Sequence, residues 1–361
     1  MKIGMLAPIS WTVPPAGYGP WEKVVYGITE GLIKLGHEVI LFCANGSQTS
    51  AEMIFTSPYP LSLWDKNEMG VERKFDPKSG YLLGPPDFRV WEELHISTCI
   101  EMANEKNFDI VHSNLHVNAL VYSKFLKCPM VSTLHGAAWV KATHPIFLKY
   151  KDNPFVSLSN AERTLLPELN YIDTVYNGIN LDDFPYSEEK EDYLLFAGRI
   201  SPEKGAAEAV QIALKTGRPL KIAGLIEDQH RDYFNQKIEP FIDGKKIEYL
   251  GLLNQSELKP VYRKASAVLF MINWCEPCSM VAIETQASGT PIIGTRFGCI
   301  PEIVIDGETG YLVDSIDEAC ISVSNLNKIN PINCRNNAEK RFSELTMAKG
   351  YENVYKKILN S

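Results

Sequence analysis

A chain of 361 residues, 45% hydrophobic and 22% charged, has a globular composition and room for two ordinary domains, which excludes disorder. Lys plus Arg total 36 against 44 for Asp plus Glu, so the net charge is −8. That balance argues against nucleic acid as a partner, since affinity for it comes from neutralising phosphates.

Residues 2–7 (KIGMLA) read as a strand. Over 21–35, Val25, Ile28, Leu32 and Leu35 recur at helical steps, and Gly36 follows where a C-cap glycine belongs. Strand 38–43 then closes a βαβ unit, whose helical crossover requires parallel pairing. Further strands are predicted at 109–113, 130–134, 155–158 and 173–176, and the turn-rich acidic stretch 177–192 reads as an interdomain linker. A second alternation places strands at 193–197, 219–223, 246–250, 267–272 and 291–294. Helices start near Ser256 and Ser279, and one long helical segment, about 337–358, closes the chain. The pattern predicts an α/β protein of two doubly wound domains facing each other, with ligands in a cleft at the carboxyl ends of the strands.

No apolar run approaches the ~20 residues of a spanning helix, and residues 1–15 break into Pro and Gly before a secretory region forms. The eight scattered Cys read as reduced thiols, so a cytoplasmic location is expected. No long Lys/Arg cluster calls for more than peripheral membrane contact.

Two segments carry chemistry. After strand 193–197 comes Gly198-Arg199-Ile200-Ser201-Pro202-Glu203-Lys204-Gly205, leading into a helix. Its two cations suit a diphosphate, the guanidinium as a fork and the ammonium as a point charge, with helix N–H groups beside them. A solvated turn with a loose Arg–Glu pair is the competing reading. After strand 267–272, Glu276 and Glu284 stand eight apart around Cys278, Ser279, Met280 and Val281. A carboxylate accepts two hydrogen bonds side by side, which fits a vicinal diol, and the amides near 279–281 would face an anion. The alternative makes Glu276 a cap and Glu284 a surface charge, but Glu284 falls in a largely apolar segment.

Gly17-Tyr18-Gly19-Pro20-Trp21-Glu22 is a poor dinucleotide fingerprint, because Glu22 replaces the third glycine and no acidic residue closes strand 38–43. It serves better as a loop allowing close ligand approach. His135-Gly136 ends strand 130–134, where the imidazole could meet a hydroxyl or phosphate or simply be half-buried. Cys275-x-x-Cys278 lacks a second pair for a metal, and His112 and His116, placed for one helix face, lack a third ligand.

These motifs, with GRISPEKG and EPCSMVAIETQASGTPIIGTRFGCIPEIVIDGETGYLV in one half and PPAGYGPWEKVVYGITEGLIKLGHEV, STLHG and VSLSNAERTLLPELNYIDTVYNGINLDDFP in the other, resemble family-four retaining glycosyltransferases of the GT-B fold. They are similar to the branch that includes an avilamycin-biosynthesis glycosyltransferase. The resemblance implies an acceptor-side Rossmann-like domain over 1–186 and a nucleotide-sugar domain over 187–338, with a helix at about 339–361 packing back on the first. It implies that Arg199 and Lys204 bind the donor diphosphate, with Gly198 in their loop. Glu276 would hold donor-sugar hydroxyls, Glu284 the ribose diol, and the amides from Cys278 through Ser279 and Met280 to Val281 the sugar and phosphates. His135 is placed beside the transferred sugar, Gly19 in the approaching loop, and Leu253, in the segment 249–253, beside the base.

The expected activity is transfer of a hexosyl group from a nucleotide diphosphate sugar to an acceptor hydroxyl with retained configuration, without metal or other cofactor. UDP-hexose is preferred over GDP-mannose, and the acceptor is a glycan, a lipid-linked sugar or a small molecule. An epimerase of the same architecture and a non-catalytic nucleotide-sugar-binding protein are the alternatives. Relatives carry a glycine where this chain has Pro20, and a small polar residue where it has Trp21. Proline offers no N–H, so no backbone hydrogen bond to a phosphate or acceptor can come from position 20.

Overall fold

The computed structural model describes residues 1–17, 19–63, 74–75, 82–83 and 88–360. The chain forms two compact units, the first made of Met1–Ser157, Leu166–Val175 and Met347–Ser361, the second of Leu158–Leu165 and Tyr176–Thr346.

The first unit is built on a seven-stranded sheet in which every neighbouring pair is parallel. Strands β1 (Lys2–Leu6), β2 (Glu38–Ala44), β3 (Glu52–Ser57), β4 (Ile110–Ser113), β5 (Met130–Thr133), β6 (Phe155–Ser157) and β7 (Tyr171–Thr174) run in the order β3-β2-β1-β4-β5-β6-β7. Helix α1 (Pro20–Lys34) buries Val24, Val25, Ile28 and Leu32, the stripe expected of an amphipathic crossover. Helix α2 (Phe88–Glu105) leads into β4. The order reverses between β1 and β4, so the loops after those strands flank a switch-point crevice.

The second unit repeats the plan with six parallel strands. These are β8 (Leu194–Ala197), β9 (Leu220–Ala223), β10 (Ile247–Gly251), β11 (Ala267–Phe270), β12 (Ile292–Thr295) and β13 (Gly310–Val313), ordered β10-β9-β8-β11-β12-β13. Helices α3 (Ala206–Thr216), α4 (Gln255–Lys264) and α5 (Met280–Ala287) lie among them, and α6 (Ile316–Ser324) and α7 (Pro331–Arg341) follow β13. Its switch point falls between β8 and β11, so the segments after these strands are 198–205 and 271–279, the two singled out from sequence.

Four expectations need correction. The acidic stretch 177–192 is not a linker but part of the second unit, with Ile179 and Phe184 buried and Arg335 donating to the carbonyls of Leu181 and Phe184. Its charged majority masked two apolar anchors. The chain accordingly crosses at Val175/Tyr176, not at 186/187, and 158–165 also belongs to the second unit. The closing segment is two helices, α7 and α8 (Glu344–Leu359), and only from Met347 does it rejoin the first unit. Ile179 breaks it by donating to Phe342 O and accepting from Glu344 N, replacing helical bonds with a bridge. Finally, β7 lies two residues earlier than expected, and β3, α2 and β13 were not anticipated; β3 is an edge strand whose Phe55 is exposed, so it lacks the apolar run of a central one.

Among the described residues no helix is long and apolar enough to cross a membrane.

Candidate active site

In the second unit, β8 delivers Gly198 and Arg199 to the crevice end of the sheet, where Gly198 N–H bonds Ala223 O at 3.0 Å. A single helical turn, Pro202–Lys204, then ends on Gly205, which starts α3. Gly205 has φ +82°, and a Cβ there would lie 2.2 Å from Met271 O. Only glycine therefore lets this loop press against the end of β11. The approach is fastened by Asn273 N–H donating to Glu203 O at 3.1 Å.

That contact explains where Lys204 goes. Its ammonium pairs with the Glu276 carboxylate and sits 4.5 Å from the centre of the Trp274 ring. The two side chains of the pair are only 18% and 12% exposed, so the pair is largely dehydrated. Arg199 is held more loosely, at 3.4 Å from Glu227 and 3.8 Å from Glu203, with a third of each partner open to water. Exposed pairs of this kind contribute about 0–1 kcal/mol, so the guanidinium can leave them at little cost. The Arg–Glu pairing foreseen as a competing reading is present, and it leaves the cation exchangeable.

Glu276 is braced by its backbone: its carbonyl accepts from Cys299 N–H at 2.9 Å. Ser279 caps α5 by accepting from Ala282 N–H at 3.3 Å, while Ser279 N–H bonds Cys299 Sγ at 3.2 Å. The N–H groups of Met280 and Val281 are first-turn donors that helix geometry leaves unfilled. Cys275 donates to Ala161 O at 3.3 Å and Cys278 is buried, so the two thiols serve packing here. Glu284 is neither a cap nor a surface charge. It is 3% exposed in the second turn of α5, accepting from Gln255 Nε2 at 3.0 Å. The phenol of Tyr262 lies against it and titrates well above its usual range, through burial first and then the charge and hydrogen bond of Glu284. Tyr249 donates to Gly224 O at 2.7 Å, and Leu253 is half-buried beyond the end of β10.

In the first unit, Gly19 begins α1 with φ +155°, and a Cβ there would fall 2.7 Å from Pro15 Cβ. Tyr18, in the same loop, lies outside the described residues. His135 opens the turn after β5 with φ +48°, and His112 sits on β4 with His116 in the turn beyond it, so these two do not share a helix face. His135 Nε2 bonds Asn114 Oδ1 at 2.8 Å, and burial, with His116 and His112 nearby, holds its pKa well below the ordinary value.

Sequence reasoning missed Trp274, Glu227, Asn273 and Gln255, which position the cations and Glu284. Trp274 stands two residues from Glu276 and carried a usable signal, an aromatic at a strand end. Gln255 and Glu227 meet their partners 29 and 28 residues away and carried none.

Two parallel-sheet α/β units of this kind make the GT-B fold. The chain belongs to the family-four, group-one glycosyltransferases: residues 21–183 match Glycosyltransferase Family 4, and residues 180–329 match Glycosyl transferases group 1. Glycogen synthase of Mycobacterium tuberculosis is 25% identical, over 84% of this chain and 80% of that protein. The crystal structure of AviGT4, a glycosyltransferase involved in avilamycin A biosynthesis, superposes with TM-score 0.68 at 24% identity, covering 100% of this chain and 98% of that one. Anabaena HepE in complex with UDP and glucose superposes with TM-score 0.69 at 17% identity, over 99% of this chain and 100% of HepE.

Proposed function

We propose that this glycosyltransferase moves a hexosyl group from a nucleotide diphosphate sugar, with UDP-hexose preferred over GDP-mannose, to an acceptor hydroxyl with retained configuration. The observation that carries the reading is the juxtaposition at the β8/β11 switch point: a cationic loop after β8 and, after β11, a helix N-terminus with one carboxylate in the loop before it and one in its second turn. Arg199 and Lys204 take the diphosphate and offset charge on the leaving nucleotide, a task that elsewhere falls to a divalent ion. Amides from Cys278 through Ser279 and Met280 to Val281 line the anion side, and Gly198 is assigned to the donor-binding loop. Glu276 grips donor-sugar hydroxyls while Lys204 balances its charge beside the phosphates. Glu284, held by Gln255, takes the ribose diol, and Leu253 borders the base. His135 is assigned to the transferred sugar, and Gly19 to the loop that approaches it. Catalysis on this view is positioning and charge stabilisation without a bound cofactor. The complex with UDP and glucose formed by HepE supports a UDP-hexose donor. Polysaccharide or glycolipid assembly at the cytoplasmic side of a membrane is the setting proposed.

The test is a panel of UDP- and GDP-hexoses with sugar, lipid-linked and small-molecule acceptors, following product anomers by NMR. Lys204→Ala should lower turnover on the order of 10²–10³-fold, as loss of one electrostatic donor does. Turnover within threefold of the parent would remove Lys204 from the mechanism, and an inverted product would overturn the stereochemical claim.

A further inference from the structure

The chain is acidic overall, at −8, but its charge is unevenly spread. Residues 110–151 of the first unit hold five Lys and no Asp, Glu or Arg. Lys124 and Lys127 lie between β4 and β5, and Lys141, Lys149 and Lys151 between β5 and β6. The fold brings these two connections together. Strands β4, β5 and β6 are parallel and adjacent in that order, so right-handed crossovers put both connections on one face of the sheet. Asn153 Nδ2 in the second donates to Ser123 Oγ in the first at 3.1 Å, which ties them side by side.

Both connections also turn large apolar side chains to water. In the 3₁₀ segment Leu120–Phe125, Leu120 is buried while Val121 and Phe125 are exposed, Phe125 by 67%. In the helix His144–Lys149, Phe147 is the inward anchor, its ring 6.0 Å from that of Phe155, and Leu148 and Lys149 are exposed. The turn Ala137–Trp139 is fastened to this helix by His144 Nε2, which donates to Ala138 O at 2.7 Å. It leaves Trp139 and Val140 exposed, with Lys141 next in the chain. Among the described residues none of the five ammonium groups is held in an ion pair. Acids resume at the rim, with Asp152 and, beyond the bond from Asn104 Nδ2 to Phe125 O at 2.9 Å, Glu101 and Glu105 on α2.

That combination selects the partner. A soluble polyanion would engage the Lys side chains and leave the apolar ones wet. An anionic bilayer takes both, because ammonium groups stay among the headgroups while Phe, Trp, Val and Leu reach the acyl boundary. We infer that this face of the first unit is a docking surface for an anionic lipid bilayer. The inference rests on the proposed function only for its membrane setting, to which it gives a named surface. Each Lys near such a surface is worth about fivefold in partitioning, so the attachment is reversible and falls with salt.

The test floats the full chain with vesicles of phosphatidylcholine alone and of phosphatidylcholine mixed equally with phosphatidylglycerol, at low and high salt. The chain should bind the mixed vesicles, less so at high salt, and leave phosphatidylcholine largely unbound. Lys124→Gln with Lys149→Gln should weaken binding about tenfold or more, and Phe125→Ser about threefold or more. Lys237→Gln with Lys328→Gln, two exposed Lys of the second unit, makes the same change in net charge and should leave binding unaltered. All variants replace exposed side chains, and circular dichroism melts matching the parent's check their folding. No preference for the mixed vesicles, parental binding by the first-unit variants, or an equal loss in the second-unit pair overturns the inference. Capture by dextran sulfate without binding to vesicles assigns the face to a soluble polyanion and also overturns it. Vesicle binding through these residues without sugar transfer leaves the surface standing and strikes the transferase reading, and transfer without vesicle binding does the reverse.

Discussion

Gly205 decides whether the cationic loop reaches the carboxylates. Two costs add at this position: a left-handed φ of +82° and the overlap of any Cβ with Met271 O at 2.2 Å. Gly244 separates them, because its φ is +69° but nothing lies within 4 Å of its Cβ position. Gly244→Ala should therefore lose only the dihedral cost, about 1–2 kcal/mol. Gly205→Ala should lose at least about 2 kcal/mol more by urea denaturation, and nucleotide binding with it, because the loop must lift away from β11. Equal losses would show that the loop is not pressed against the strand. At this scale the candidate residues Arg199, Lys204, Glu276 and Glu284 could be picked out because they fall in two short motifs, each on one strand-to-helix connection. What was not legible is that Lys204 and Glu276 hold each other, since that depends on β8 and β11 being neighbours, 72 residues apart. Trp21 with its two imidazole neighbours is the reverse case. Trp21 was noticed only as a departure, because its imidazole partners follow two other strands.

Helix α8 shows what a buried polar network adds to an amphipathic element. It buries Met347, Ala348, Tyr351, Val354, Tyr355 and Ile358 in the first unit. At its centre His112 bonds the Tyr355 hydroxyl through Nδ1 and Thr133 Oγ1 through Nε2, both at 2.7 Å, and Thr133 reaches the Tyr351 hydroxyl at 3.1 Å. Tyr355→Phe leaves Nδ1 of a fully buried imidazole unpaired, so it should cost about 1–3 kcal/mol and speed amide exchange along α8. Tyr351→Phe leaves His112 with both partners and should cost less. If the two variants are indistinguishable in urea midpoint, the histidine is not what fastens the helix. Helices and central strands could be read from sequence because one face is uniformly apolar, as in α1 and β1. The break between α7 and α8 could not. It is imposed by Ile179, more than 160 residues upstream, through two backbone hydrogen bonds that leave no trace in the local periodicity.

Over the whole molecule the histidines are unevenly placed: of seven, only His230 lies in the second unit. In the first unit, His95 is satisfied as a neutral ring, donating from Nε2 to Ala7 O at 2.8 Å and accepting from the Thr56 hydroxyl at 2.6 Å. Burial pushes its pKa down to about 4 and that of His112 to about 3. A folded value below the unfolded one means that the unfolded chain binds protons first as pH falls. The stability from these rings is therefore complete above about pH 6.5 and is lost on acidification toward the folded values. At pH 5 each of the two should have given up about 2 kcal/mol. Hydrogen-exchange mass spectrometry at pH 7.5 and pH 5, corrected for intrinsic rates, reads the two units separately. Protection should fall across β1, β4, β5 and α8 while β8 and β11 keep theirs. His95→Gln, which removes one of four rings that burial depresses in this unit with His112, His116 and His135, should flatten the loss by about 2 kcal/mol, a fraction of the whole. A uniform loss in both units would instead assign the acid sensitivity to carboxylates, and an unchanged first unit would mean that these rings are already protonated when folded.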